Sequence, residues 1–155
     1  MAKNHVLTRN QHFARPLTVV FAFFSSANNL EAITPPSLRF TIRSPQPIVM
    51  AVGATIEYEL SLFGIPIYWQ TVISVWEPPY RFVDEQQKGP FFYWRHEHSF
   101  EQSGDQVLMR DRVEYREPLG WLGLVAHHLL IKRLLDAVFT FRRLKIAEVL
   151  APIGT

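Results

Sequence analysis

Two histidines, His96 and His98, stand two residues apart in the stretch Trp94-Arg95-His96-Glu97-His98-Ser99-Phe100. In an extended strand every second side chain shares a face, so Trp94, His96, His98 and Phe100 line one side. Imidazoles turned toward an apolar interior need polar partners. An apolar interior holding a few placed polar groups is the composition of a small-molecule pocket. The chemistry within reach is proton exchange, or a hydrogen bond to a ligand carbonyl, by an imidazole that a carboxylate orients.

The carboxylate comes from the next segment, Val107 to Tyr115, where Met109, Asp111, Val113 and Tyr115 alternate onto one face. Between the segments, Ser103-Gly104-Asp105-Gln106 suits a two-residue hairpin turn with Gly104 at its first central position. Pairing Ser103 with Gln106 sets Phe100 against Met109, His98 against Asp111, His96 against Val113 and Trp94 against Tyr115. On the other face Glu97 meets Arg112 and Arg95 meets Glu114. A slip of two residues would oppose Glu97 to Glu114 or Arg95 to Arg112, and like charges directly opposite destabilise a sheet. Turn and charge therefore select one register, which predicts an inward His98–Asp111 pair. That pair serves either a ligand or simply the joint between two strands. His96 faces Val113 and lacks a cross-strand partner. Asp84 and Gln86, alternating inward on the preceding strand, are the groups that could reach a histidine, and His96 is the residue expected to sense a ligand.

Trp69, Trp94, Tyr115 and Tyr58 supply rings for stacking on a ligand or for ordinary core packing, and Thr71 shares the inner face with Trp69. Arg142 and Arg143, near the end of the last helix, read as surface pairs or cap contacts and not as ligand-binding groups. A metal held by His96, His98 and an aspartate is disfavoured, since Asp111 already engages one histidine, so neither metal nor cofactor is expected. His127 and His128 are adjacent on a helix and point about 100° apart, which prevents joint ligation. The chain has no nucleophile elbow and no glycine-rich phosphate loop.

These residues must be positioned by one domain spanning 1–155. With 16 basic and 14 acidic residues and no basic run, the chain does not read as a nucleic-acid binder. It has no cysteine, hence no disulfide and no thiolate chemistry. The start of the chain does not read as a signal peptide. Leu17 to Phe24 is too short to span a bilayer, and Leu119 to Phe141 is broken by Lys132, Arg133 and Asp136, so a cytoplasmic protein without a transmembrane segment is expected.

Alternation predicts a first strand over His5 to Phe13. Pro16 opens a short helix carrying Leu17, Val20, Phe21 and Phe24, and a second short helix or turn covers Leu30 to Ile33. Strands follow at Leu38 to Arg43, Thr55 to Leu62, Ile67 to Trp76, Arg81 to Gln86, Phe92 to Glu101 and Gln106 to Arg116. Gly64-Ile65 turns one hairpin. Trp69, Thr71, Ile73 and Val75 face inward, while Tyr68, Val72 and Trp76 form an outer apolar strip suited to a homodimer interface or a helix contact. The final helix, from about Leu122 to Leu150, carries the stripe Leu124, His127, Ile131, Leu134, Leu135 and Val138. The fold class is α+β: a curved seven-stranded antiparallel sheet wrapped around a long C-terminal helix, with two short helices after strand 1.

This order resembles the helix-grip fold of the START/SRPBCC superfamily. The motifs Phe21-Ala22-Phe23-Phe24-Ser25, Asn29-Leu30-Glu31, Thr34-Pro35-Pro36, Gly64-Ile65-Pro66, Trp69-Gln70-Thr71, Pro78-Pro79, Phe82-Val83-Asp84-Glu85-Gln86, Gly89-Pro90 and Trp94 to Phe100 resemble its bacterial polyketide cyclase/dehydrase-like branch. The resemblance implies a deep apolar cavity between sheet and helix, used in relatives for lipids, sterols, polyketides, quinones or hormones. The expected function is to carry or sense a small hydrophobic or aromatic molecule, with Trp69, Thr71, Asp84, Gln86, Trp94, His96, His98, Asp111 and Tyr115 around it. The alternatives are a cyclase/dehydratase-type enzyme using His98 and Asp111 as an acid–base pair on a polyketide-like carbonyl compound, and a protein-interaction module whose core is filled.

Overall fold

The computed structural model describes residues 3–152. One antiparallel sheet of seven strands runs in the order β1-β7-β6-β5-β4-β3-β2. Its members are β1 (His5–Phe13), β2 (Thr41–Ile42), β3 (Thr55–Leu62), β4 (Ile65–Glu77), β5 (Arg81–Lys88), β6 (Tyr93–Ser103) and β7 (Gln106–Arg116). Two short helices, α1 (Leu17–Phe24) and α2 (Asn29–Ala32), follow β1. The chain ends in α3 (Gly120–Ala126), a π-helical turn (His127–Ile131) and α4 (Lys132–Val149), which together run as one helix over 120–149. Among the described residues no helix is long and apolar enough to cross a membrane.

The β6–β7 hairpin has the register that turn chemistry and charge select: His98 opposes Asp111, His96 opposes Val113 and Ser103 opposes Gln106. Gly104 takes φ +63°, which a side chain would resist. On the outer face Arg110 pairs across the hairpin with Glu101 at 2.9 Å, while Arg95 on Glu97 at 3.0 Å and Arg112 on Glu114 pair along their strands. Side chains at i and i+2 are neighbours on one face, so the last two pairs form without crossing the hairpin.

Three local expectations are corrected. Leu62 pairs with Ile65, so Phe63-Gly64 and not Gly64-Ile65 makes the β3–β4 turn, both residues with positive φ. Leu38 to Arg43 is largely not strand: Pro36–Leu38 is a 3-10 turn, Arg39 takes φ +46°, and only Thr41–Ile42 pair. In β4 a register shift between Ile73 and Val75 inserts an extra residue, so Val75 opposes outward Val83 and Trp76 opposes inward Phe82. Trp76 then packs on Phe21 and Phe82, which removes it from the outer strip of Tyr68 and Val72. A one-residue insertion reverses every later side chain in a strand.

Buried residues form two clusters. One gathers Phe13, Phe21, Phe24, Phe82, Phe100, Met109 and Ile146, the other Trp69, Trp94, Val113, Tyr115, Leu135 and Phe139. The helix stripe is present in part: His127 and Leu135 are buried, while Ile131, Leu134 and Val138 are half-buried. The side chain of Leu124 lies outside the described part of the structure.

Candidate functional site

Between the concave face of the sheet and α4 lies a cavity of about 340 Å³. Its walls are mostly apolar and aromatic, with Tyr58, Leu60, Trp69 and Trp94 from the sheet, Leu134, Val138 and Phe139 from α4, and Leu30 and Ile33 from the α2 region. The polar exceptions include Thr71, Asp84, His96, His98 and Arg142. The histidines sit where the two core clusters meet. Phe82 stacks on His98 with centroids 4.2 Å apart, and Phe139 meets His96 at 5.6 Å.

Strand alternation points His96, His98, Asp84 and Asp111 inward, and a network crosses the strands diagonally. His96 donates its Nε2–H to Asp111 Oδ1 at 2.8 Å, although Asp111 is registered opposite His98. His98 donates its Nε2–H to Asp84 Oδ2 at 3.2 Å, although Asp84 is registered opposite His96. Diagonal neighbours on a sheet lie within reach of long side chains, and the partner His96 lacked is thus the aspartate two residues away from its own opposite position. Asp111 Oδ1 is also 2.9 Å from His98 Nδ1. There the oxygen is poorly aligned with the N–H, so the contact is one of charge more than of hydrogen bonding.

Burial pushes the Asp111 carboxyl up, but the hydrogen bonds and charges of His96 and His98 outweigh it and hold it well below the usual carboxylate range. Asp84 follows the same pattern: burial raises it, while His98, His96 and Arg142 bring it below its ordinary value. The two imidazoles part in opposite directions. Burial and then the charge of His98 lower His96, with Asp111 opposing. For His98 burial also acts downward, yet a carboxylate at each ring nitrogen raises it overall. The network therefore favours a cationic ring at His98 and a neutral one at His96, the separation that distinguishes acid from base in a shared site.

Of the expected site residues, Trp69, Thr71, Asp84, Trp94, His96 and His98 line the cavity. Three do not. Asp111 stands behind the histidines, on the side away from the cavity lining. Gln86 is spent on the β5–β6 connection, donating to Phe91 O at 2.7 Å and accepting from Phe91 N–H at 3.2 Å. Tyr115 meets His127 Nε2 through its hydroxyl at 2.9 Å, and burial, Glu117 and Asp136 push its pKa up to about 12. Arg142, read from sequence as a surface residue, lines the cavity and lies over the Phe139 ring at 5.0 Å. Its position four residues beyond Val138 and seven beyond Leu135 put it on the buried stripe, the signal that could have found it.

No family model matches the chain, and no curated protein matches it in sequence. Solved structures do. CV1439 from Chromobacterium violaceum superposes with a TM-score of 0.74 at 10% identity over 96% of this chain and 98% of its own. The major latex-like protein 151 of Panax ginseng gives 0.69 at 13% identity over 96% and 99%. A point mutant of Thalictrum norcoclaurine synthase, solved with a transition-state analogue, gives 0.66 at 12% identity over 96% and 98%. At such identities the likeness is one of architecture, and the architecture of this chain is a helix-grip fold.

Proposed function

We propose that the protein encloses a small, mostly hydrophobic molecule between sheet and helix and reads one polar group of it at the Asp84–His96–His98 wall. What carries this is a single juxtaposition: a 340 Å³ apolar hollow with two buried, oppositely tuned histidines in its lining. Volumes of this order suit small ligands, and placed polar groups in an apolar wall fix orientation. The hollow weighs against a module with a filled core. A ligand oxygen at the wall accepts from His98 Nε2–H, and the rings of Trp69 and Trp94 cover the apolar body. The test is displacement of a solvent-sensitive fluorescent probe by a panel of aromatic and aliphatic carbonyl compounds. The Val138→Trp variant, which fills the hollow from the helix side, should lose probe binding while keeping its thermal stability. Equal binding by wild type and Val138→Trp would reject the cavity as the site.

A second proposal is favoured by the opposite tuning of the two imidazoles: a cyclase/dehydratase-type reaction on a carbonyl compound. His96 would take a proton next to the carbonyl, and His98 would give one to a departing hydroxyl, releasing water. Turnover of a β-hydroxy carbonyl compound that vanishes in His98→Ala, with probe binding intact, is the expected result. Unchanged turnover would remove His98 from the reaction.

A further inference from the structure

Asp111 faces one nitrogen of each histidine, Nε2 of His96 at 2.8 Å and Nδ1 of His98 at 2.9 Å. An ionised carboxylate only accepts, so Asp111 holds a proton on His96 Nε2 and its charge favours one on His98 Nδ1. Once an ion displaces the proton that His98 Nε2 shares with Asp84, the lone pairs of the two rings lie on His96 Nδ1 and His98 Nε2, which face Asp84 Oδ2 at 3.8 and 3.2 Å. All three donor atoms lie within 4.8 Å of one another. Three electron-rich atoms converging in a buried wall need a positive charge among them. A proton on His98 satisfies only one of the two separations. A metal at bond lengths of about 2.0–2.2 Å sets its donors about 3–3.5 Å apart, a range that the His98–Asp84 separation of 3.2 Å meets and the His96–Asp84 separation of 3.8 Å exceeds by a few tenths of an ångström.

We propose that Asp84, His96 and His98 bind a divalent first-row transition-metal ion at the cavity wall, with Asp111 orienting both imidazoles from behind. Two imidazoles and one carboxylate on one side of an ion, with positions left open toward a cavity, suit iron, zinc or cobalt and leave room for an oxygen of a bound molecule. A carboxylate on the far nitrogen of a ligating histidine fixes its tautomer and raises its basicity. This expectation reverses the sequence-based one: engagement of a histidine by Asp111 prepares it for a metal and does not exclude one. The proposal deepens the cavity-wall proposal, since the ion would hold the ligand oxygen. It is particular to this trio. The other convergent set among the described residues, His5, Glu117 and His127, stacks His5 on His127 at 3.6 Å and has His127 Nε2 already on Tyr115.

The experiment uses full-length protein stripped with a chelator and titrated with Co²⁺ alone, followed by visible absorption, and then with Zn²⁺ against a chromophoric chelator. One ion per chain is expected, with the d–d bands of a nitrogen/oxygen site that Zn²⁺ abolishes. Asp84→Asn and His98→Ala should each lose the bands while circular dichroism shows the fold retained. Asp111→Asn removes no ligand and should weaken binding about 10–100-fold. Binding should weaken below neutral pH, because the ion displaces protons. Affinity no greater than that of the Asp84→Asn/His98→Ala double variant overturns the proposal. So do bands that survive Asp84→Asn and disappear in His5→Ala. Probe binding by the stripped protein separates the two proposals: a metal-free cavity that binds probe but no Co²⁺ keeps the first and sinks the second.

Discussion

Asp111→Asn tests the network most directly, because it keeps the side-chain shape and removes the carboxylate charge that lies within 3 Å of both histidines. Asp111 is 6% exposed, with one aligned hydrogen bond at 2.8 Å from His96 and one close contact at 2.9 Å from His98. Breaking a buried ion pair by removing one partner costs about 3–5 kcal/mol, since the other charge stays buried and loses its compensation. Asp84 still faces His98, which places the expected loss near the lower end, about 3 kcal/mol. For a domain of this length about 2–4 °C of Tm accompanies each kcal/mol, so a fall of about 6–12 °C at pH 7 is expected by circular dichroism or calorimetry. The acid limb fixes the sign. A carboxyl held below its unfolded pKa contributes stability that is full above about pH 3.9 and is lost as pH falls through its folded value. The gap between wild type and variant should therefore persist from pH 7 to about pH 4 and close only in stronger acid. A Tm change under about 3 °C, or a gap that vanishes already at pH 6, would refute the buried-network account.

Two-dimensional NMR of the imidazole resonances should show His98 titrating above and His96 below the ordinary histidine value of about 6.5; coincident titrations would contradict the diagonal pairing. By linkage the His98 contribution to stability is full below about pH 6.5 and lost as pH rises through its folded pKa, while His96 costs stability as pH falls below about 6.5. Ile146→Ala, at a position 1% exposed in the first core cluster, should lose about 2–5 kcal/mol in urea unfolding; a loss under about 1 kcal/mol would show that α4 is not packed there. Gly104→Ala, at φ +63°, should cost about 1 kcal/mol in the same assay without altering probe binding, and a stabilising effect would mean that the hairpin turn has another conformation.

Much of what positions the site is local and was therefore legible in residue order. A two-residue turn with glycine at its left-handed position fixes the register of its strands, and alternation then states which side chains share a face. For β6 and β7 that logic extends from Ser103 to Trp94 without interruption. It failed where a single residue changed the count, at the bulge in β4, and where a proline-rich approach replaced strand with a 3-10 turn before Thr41.

The sequence by itself determined the hairpin, the inward histidines and the sheet-and-helix order, because each follows from contacts between residues close along the chain or joined by a short turn. Only the tertiary structure decided which carboxylate serves which imidazole. That choice depends on diagonal reach across strands, on the inward turn of Asp84 from β5, and on Arg142 arriving from a helix more than forty residues downstream. It also decided that Gln86 and Tyr115 look elsewhere, since Phe91 and His127 compete for their polar atoms at distances no strand pattern encodes.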